Sequence, residues 1–405
     1  MDQNRIEQLR SRLRSDGDVG DLGILDSQAV RYYEEKDEED YIDIRSPFFR
    51  DTDRIVSCKA YARYVDRSQV FYDVKNANIT HRSLHVNLVS RVARLIGRVL
   101  KLNLDLIEGI SLAHDIGHAP GGHSAEDILN TISKNYSMGG FNHNAQGIRW
   151  LHYLEKRFPK KPAQGLNLTI QVLDGILCHD GEIYEQILKP IKINGKSWDD
   201  HFKEYNDCFN ENKIKRIPMS YEGVVVRFAD TISYIGRDIE DAILLKFIKR
   251  SEIPVNCKKI LGDTNRKIMH TLIMDLLNFN LENDGKYIGY SEEIYEALKE
   301  LKIFNYDNIY IKRDLIQKND SKITFVDDLK RKYTFLFKRC LKELEDENYN
   351  APIFKDHICY IDNENYTTYY SPLKKKNKLT LIVRDYLAGM SDKYFTTIYE
   401  YYKKN

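Results

Sequence analysis

Four histidines and one aspartate, His85, His114, Asp115, His118 and His123, fall between residues 85 and 123 of a stretch that otherwise reads as buried helix. With His81 they make up nearly half of the chain's 11 histidines. Imidazole and carboxylate together are the ligand types of divalent cations. His85 shares a helical face with Val89, Val92, Ile96 and Val99, which predicts that it points inward. His114 and Asp115 end the next helix, at the lip of the glycine-rich turn GHAPGGH. Three such ligands from two helices favour a metal site over a set of satisfied core residues.

A fourth ligand is expected downstream. Asp230 lies inside the apolar segment YEGVVVRFADTISYIGRDIEDAI, where a buried carboxylate without a partner is unfavourable and metal coordination would satisfy it. Tyr234 and Asp238 follow at i+4 and i+8, on one face and over roughly 12 Å at about 1.5 Å per residue. A ligand at the metal could be held further out by that phenol and that second acid. Asp241 reads as part of a salt-bridged surface stripe. His179-Asp180-Gly181 repeats the HD dipeptide, but no inward histidine precedes it at a useful distance. It reads as the end of its own helix, capped by Gly181, and not as a metal site.

The elements that must position these groups are helices. The pattern predicts them at His81 to Leu102, with a Leu84, Leu88, Val92, Leu95, Val99 apolar stripe, and at Leu104 to about His114 behind an Asn103 N-cap. Others are expected at Ser124–Ser133, Ala145–Arg157, Leu168–His179 and Gly223–Lys249, and strand-like alternation is short and rare. The fold class is all-α. Residues 1–47, with the acidic run Glu34 to Asp40, read as a surface extension or oligomer arm, 48–250 as the catalytic core, and 251–405 as a C-terminal helical region packed on it.

Bulk composition fits a globular protein of 405 residues, 42% hydrophobic and 30% charged. A net charge of +1 gives no whole-molecule argument for a nucleic-acid or membrane partner. The six cysteines are scattered without a CxxC, and read as reduced thiols. With no apolar stretch of signal-peptide or membrane-spanning type, the expectation is a cytoplasmic protein.

These residues resemble the HD-domain superfamily, and within it the deoxynucleoside triphosphate triphosphohydrolases (dGTPase-like enzymes), from about Arg50 to Asp241. Arg82, His85, Val89, Val92, Ala93 and Arg94 are similar to the family's first helix, which puts His81 out of register. HDIGHAPGGHSAEDILN resembles HDLGHPPFGHxGExxLN, GGFNHNAQ at residues 139–146 resembles GGFEHNAQ, and Ala229-Asp230 through Asp241 resembles ADxxxYxxxDxxDA. The departure is Gly121, where relatives carry an aromatic residue, which implies a more mobile or differently packed loop. The N-terminal arm and the region after Ser251 have no match.

The resemblance implies a divalent metal ion (Mn, Mg, Fe, Co or Ni, with Zn not excluded) held by His85, His114, Asp115 and Asp230, and a dNTP substrate cut at its α-phosphate. It implies that His123 and Glu126 form a catalytic pair, that His118 touches phosphate oxygens or steadies the turn, and that Arg82 supplies a cation beside the metal. Tyr234 and Asp238 would hold the deoxyribose 3′-hydroxyl and Gln69 the sugar or base. His143 and Asn144 would support the pocket or cap their helix after the Gly-Gly turn. A homo-oligomer and an allosteric nucleotide or single-stranded nucleic acid are further implied partners. Two other readings stand beside this one. The first is a different HD phosphohydrolase, acting on nucleoside monophosphates, alarmones or cyclic nucleotides. The second is a non-catalytic nucleotide sensor or single-stranded nucleic-acid binder using Arg50, Arg54, Arg63, Lys374, Lys375, Lys376, Tyr369 and Tyr370.

Overall fold

The computed structural model describes residues 8, 16–35, 43–72, 74, 76, 78–158, 161–180, 185–210, 216–316, 323–363 and 366–404. The expected acidic run from Lys36 onward and the Gly181 cap lie outside them. The fold is all-α: among the described residues the only strands are β1 (Ile187–Leu188) and β2 (Ile288–Gly289), an antiparallel pair in which Ile187 faces Gly289. No helix is long and apolar enough to cross a membrane, among the described residues. Cys58, Cys178, Cys257 and Cys340 are buried, Cys208 and Cys359 are half-buried, and all six are free thiols.

Three helices form the frame of the site: α1 (Pro47–Ser57), α2 (Arg82–Val99) and α3 (Leu104–Ala113). Next come α4 (Gly122–Asn135), α5 (His143–Arg149), α6 (Ile170–Leu177) and α7 (Trp198–Asp207). The long α8 (Tyr221–Leu244) packs across α2, α3 and α6. It stops five residues short of the expected end because Lys246 turns left-handed at φ 62° and Phe247 N–H bonds back to the Ala242 carbonyl. The predicted helix at 145–157 also divides, since α5 ends at Arg149 and widens into a π-turn at Trp150–Leu154. There the chain turns to bring Glu155 inward, where its carboxylate accepts from Ala60 N–H and the Tyr360 hydroxyl.

The apolar stripe read along α2 is a correction. Leu84, Leu95 and Val99 are 44, 47 and 49% exposed, whereas the buried face carries Arg82, His85, Val86, Val89, Val92, Ala93 and Ile96. The inward register of His85 stands, but Val99 is not on that face. His81 sits just before α2, where its carbonyl accepts from the N–H groups of Leu84 and His85.

Asn103 ties α3 to its surroundings. Its Oδ1 accepts from Asp105 and Leu106 N–H at 3.1 Å each, and its Nδ2 donates to the Ile24 carbonyl at 2.9 Å. The Glu222 carboxylate at the head of α8 accepts from both Ile24 and Asn103 N–H, at 2.9 and 3.0 Å. One buried cap therefore joins residues 24, 103 and 222.

Beyond residue 250 lie α9 (Asn265–Glu282), α10 (Glu292–Asn305), α11 (Phe325–Glu345), α12 (Leu379–Ala388) and α13 (Asp392–Lys404). They reach deep into the earlier helices: the fully buried Arg67 donates to the carbonyls of Ile116, Ala388 and Met390. Arg149 forms a bidentate pair with the buried Asp385 at 2.6 Å on each arm.

Asn103→Ala removes the α3 cap and leaves the Ile24 carbonyl and Asp26 without its amide. We expect unfolding free energy to fall by about 1–2 kcal/mol, read as a lower midpoint in urea at unchanged slope.

Candidate active site

The Gly-rich turn between α3 and α4 carries the first ligand pair, and close backbone approach shapes it. A Cβ on Gly117 would lie 1.8 Å from the His143 carbonyl oxygen and 2.3 Å from Gly147 N, so only glycine lets this turn lie against α5. Gly121 and Gly122 adopt φ of 95° and 62°. A Cβ on Gly121 would lie 2.6 Å from Leu329 of α11, whose Tyr333 hydroxyl donates to the Pro120 carbonyl at 2.8 Å. The missing aromatic is thus accounted for by different packing: α11 covers the turn.

At the meeting point of α2, the end of α3 and α8, four polar side chains converge. His85 Nε2 lies 2.9 Å from Asp230 Oδ1 and 3.7 Å from Asp115 Oδ2, while His114 Nε2 lies 3.5 Å from Asp115 Oδ1 and 3.6 Å from Asp230 Oδ1. Such spacings suit atoms sharing one ion at roughly 2.0–2.2 Å. His114 Nδ1 meets the Ser111 carbonyl at 2.7 Å. A carbonyl can only accept, so Nδ1 carries the proton and Nε2 presents its lone pair. Both His114 Nε2 and Asp230 Oδ1 are buried without a hydrogen-bond partner, as expected of metal ligands. The cluster could hold a metal ion, and the donor set fits.

The electrostatics are dominated by these buried charges. Burial pushes both carboxyls up, yet Arg82, His114 and His118 hold Asp115 well below the usual range, and His114 and His85 do the same for Asp230. His114 is raised to about 9: burial opposes its charge, and Asp115 and Asp230 outweigh it. A bound cation would take the place of that proton. Arg82, itself 2% exposed, is ion-paired with Asp115.

His118 Nε2 lies 3.2 Å from Asp115 Oδ1, and its ring stacks on His143 at 3.8 Å. Burial and then Arg82 push it well below its ordinary range, so it is neutral. Glu126 has, besides the expected His123, a nearer partner in His143. Its carboxylate accepts from His143 N–H at 2.9 Å and meets His143 Nδ1 at 2.8 Å, whereas His123 Nδ1 is 3.6 Å away on a side chain 74% exposed. Glu126 and, at further reach, Asp180 raise His143 to about 9 against its burial. Asn142 caps α5, so the capping role open to His143 and Asn144 falls to the residue before them; Asn144 Nδ2 instead donates to the Leu177 carbonyl at 3.1 Å.

The dipeptide set aside as a decoy is in the site. His179 Nε2 lies 3.3 Å from His143 Nε2, and Asp180 Oδ1 lies 3.4 Å from the same atom. The signal was present in the repeated HD at a helix end, but the requirement for an inward histidine on a preceding helix hid it. Asp241 is also corrected: it is 4% exposed, and its Oδ2 accepts from Thr80 N–H at 3.0 Å in the turn before α2.

A cavity of about 340 Å³ opens from this cluster and runs along α8 past Tyr234 to Asp238, with Gln69 on its wall. Asp238 Oδ2 accepts from the Tyr310 hydroxyl at 2.7 Å, and its Oδ1 has no hydrogen-bond partner. Tyr306, Tyr310 and Arg313 line the same space, Arg313 being fixed by the Val70 carbonyl at 3.0 Å and Ser124 Oγ at 2.8 Å. Nothing in the spacing announced them.

Most of the residues of the nucleic-acid reading are engaged within the chain. Arg50 and Arg54 pair with Glu35, and Arg63 pairs with Glu155 and lies over the Trp150 ring. Tyr369 and Tyr370 are buried with their hydroxyls on Asp385 and the Leu344 carbonyl, and Lys374 is paired with Glu347.

Helices of this order around a His/Asp cluster define an HD-domain protein, and the HD domain family model matches residues 82–235. The chain is similar to deoxyguanosinetriphosphate triphosphohydrolase-like proteins of several bacteria. It is 37% identical to that of Caldanaerobacter subterraneus over 68% of each chain. It is 31% identical to that of Clostridium perfringens over 87% of this chain and 86% of the relative, and 32% identical to that of Rickettsia bellii over 86% and 90%. The chain belongs to the deoxyguanosinetriphosphate triphosphohydrolase-like family of HD-domain proteins, whose members support a phosphohydrolase function.

Burial, then Asp241, pushes Asp238 up to about 7, from near 3.9 in an unfolded chain. Between those values the folded state holds the extra proton, so stability falls as pH rises through the window. Asp238→Asn removes this loss: its melting temperature relative to the wild type should climb from pH 5 to pH 7 and level off above. A pH-independent difference would contradict the assignment.

Proposed function

We propose that this chain hydrolyses deoxynucleoside triphosphates, dGTP among them, at the α-phosphate, to a deoxynucleoside and tripolyphosphate. The observation that carries this reading is the convergence of His85, His114, Asp115 and Asp230 on one point, with His114 Nε2 and Asp230 Oδ1 buried and turned to one another and to His85 without a well-formed hydrogen bond, at one end of a cavity that leads to Tyr234 and Asp238. Those four residues would hold a divalent ion. When bound, it polarises the α-phosphate and lowers the pKa of a water molecule.

The remaining steps belong to the chain's own side chains. Arg82 and Arg313 supply fixed positive charge for a substrate of about four negative charges, and His118, whose Nε2–H is turned to Asp115, packs edge-on against the His123 ring and steadies it. His123, at the open face of the cavity, delivers a proton to the departing 5′-oxygen; Glu126 orients it while also holding His143. Asn144 anchors the end of α6 beside His143. Asp238 Oδ1 is the acceptor for the 3′-hydroxyl, and Tyr234 with Tyr310 narrows the space beside C2′, disfavouring ribonucleotides. Gln69 contacts the sugar or base.

With this reading go a division into an arm (1–47), a catalytic core (48–250) and a C-terminal helical region (251–405) that lends Tyr310 and Arg313 to the pocket. A homo-oligomer, with an effector nucleotide or single-stranded nucleic acid as partner, extends the same reading. The exposed Leu84, Leu95 and Val99 on α2 support the oligomer.

Incubation with each dNTP and NTP in Mn²⁺ or Mg²⁺, with chromatography of both products, is expected to yield deoxynucleoside and intact tripolyphosphate. His114→Ala and Asp115→Ala should lower kcat by roughly 10³-fold or more, on the order of 4 kcal/mol of barrier. Pyrophosphate as product, or undiminished variants, would overturn the mechanism.

A further inference from the structure

Arg384, in α12, is a charged side chain with nothing to bond. It is 3% exposed, and its Nε and Nη1 are buried without a hydrogen-bond partner. A guanidinium keeps its charge at any ordinary pH, so this is a cation held out of water, a placement that costs more than burying an unpaired neutral group. Its neighbour in the chain does not relieve it. Asp385 Oδ1 accepts from Arg149 Nε and Gln146 Nε2, and Oδ2 from Arg149 Nη2 and the Tyr369 hydroxyl, which fills both oxygens. Two guanidinium groups share one carboxylate, and a positive charge is left over. Burial pushes Arg384 below its ordinary range, Asp385 opposes that, and Arg149 adds to it. The Phe209 ring at 5.0 Å steadies the charge but accepts no hydrogen bond in its plane.

This surplus lies behind the wall of a second cavity, of about 620 Å³, a size suited to a small molecule. Arg149, Tyr205 and Tyr369, which act on Arg384 beside Asp385, all line it. Among the described residues no aspartate, glutamate or lysine does, so an anion entering it meets no like charge on the walls. The Tyr205 hydroxyl accepts from Arg149 at the buried side. The exposed side is aromatic: Tyr32, Tyr33 and Tyr153 are 45, 57 and 40% exposed, and Tyr32 stands edge-on to His152 and to Phe202 at 5.5 Å each. His152 lines the same space. It is 8% exposed, burial pushes it down to about 4, and the Nδ1 of the neutral ring is buried without a partner. Ring faces on one side and uncompensated positive charge on the other suit a flat apolar body with an anionic end.

We propose that this cavity binds a small molecule that joins a planar ring to an oxyanion, a carboxylate or a phosphate monoester, with the oxyanion drawn to Arg149 by the unmatched charge of Arg384 and the ring held among Tyr32, Tyr33 and Tyr153. Guanidinium pairs with both oxyanions in the same two-pronged geometry, which is why one receptor serves either. The unpaired cation lowers the stability of the empty protein, and the ligand supplies its missing partner. Helix α5 separates this cavity from the Asp115 cluster, with His143 at its start and Arg149 at its end. Binding here does not depend on which reaction the chain carries out.

The full chain is titrated calorimetrically with phenyl phosphate, benzoate, inorganic phosphate and benzyl alcohol. We expect a ringed oxyanion to bind and the uncharged alcohol not to, and the tighter of phenyl phosphate and benzoate names the natural anion. Arg384→Met keeps the length of the stem without the charge. It should raise the melting temperature of the empty protein and weaken the ringed oxyanion by about tenfold or more. Tyr32→Ala, at a half-exposed position, should weaken the ringed probe by about fivefold and leave inorganic phosphate as it was. Arg313→Met removes a cation from the other cavity, and the binding lost in Arg384→Met should persist there. Absence of ringed-oxyanion binding to the wild type overturns the proposal, as does an Arg384→Met protein that melts lower than the wild type or binds as tightly. Should Arg384→Met fail to fold, undiminished affinity in Tyr32→Ala overturns it, and a loss confined to the ringed probe upholds it.

Discussion

Two carboxylates, Asp115 and Asp230, are buried within reach of the same two imidazoles, and that concentration of charge is the constraint around which the molecule is organised. Charge so far from water persists only where cations and hydrogen bonds surround it. Arg82 supplies a permanent positive charge beside them, placed by its own burial at the first turn of α2. The helices then follow: α2 must present Arg82 and His85 together, α3 must end where His114 can be pinned by Ser111, and α8 must lie across both to deliver Asp230. The long apolar faces of α2, α3 and α8 provide the adhesion, while the polar cluster dictates how they are aligned.

The turn between α3 and α4 shows how tightly that alignment is held. Gly117 lets it touch the backbone of α5, Arg67 fastens the Ile116 carbonyl, and Tyr333 fastens that of Pro120. The three fixings come from quite different parts of the chain. Removal of one ligand would therefore leave the turn in place, and the scaffold is separable from the chemistry it carries.

Much of this could be read from the residues. The inward register of His85, the Asn103 cap, and the distant Asp230 followed from spacing and from the expense of burying a lone carboxylate. The boundaries of α5 and α8 did not, because a π-turn and a left-handed Lys246 ended them, and neither has a compositional signature. The apolar stripe on α2 was legible but ambiguous: two apolar faces run along that helix, and only packing shows that Leu84, Leu95 and Val99 are on the outer one. The pairing of Glu126 was only half legible for a related reason. Spacing along one helix favours His123, and only the fold brings His143 to the same carboxylate. Tyr310 and Arg313 arrive from a segment with no recognisable pattern, and tertiary structure alone places them.

The hydroxyl of Tyr333 on the Pro120 carbonyl joins residues 213 positions apart. Synthesis proceeds from the N-terminus, so the ligand-bearing turn emerges long before its clasp does. During that interval the histidines and aspartates exist without the helix that covers them. A chain still on the ribosome can gather metal ligands early, but it acquires the finished cavity only when its last third has left the exit tunnel. Competence in this molecule is therefore an event of late synthesis, and a truncated product would carry the recognisable residues without the enclosure that makes them a site.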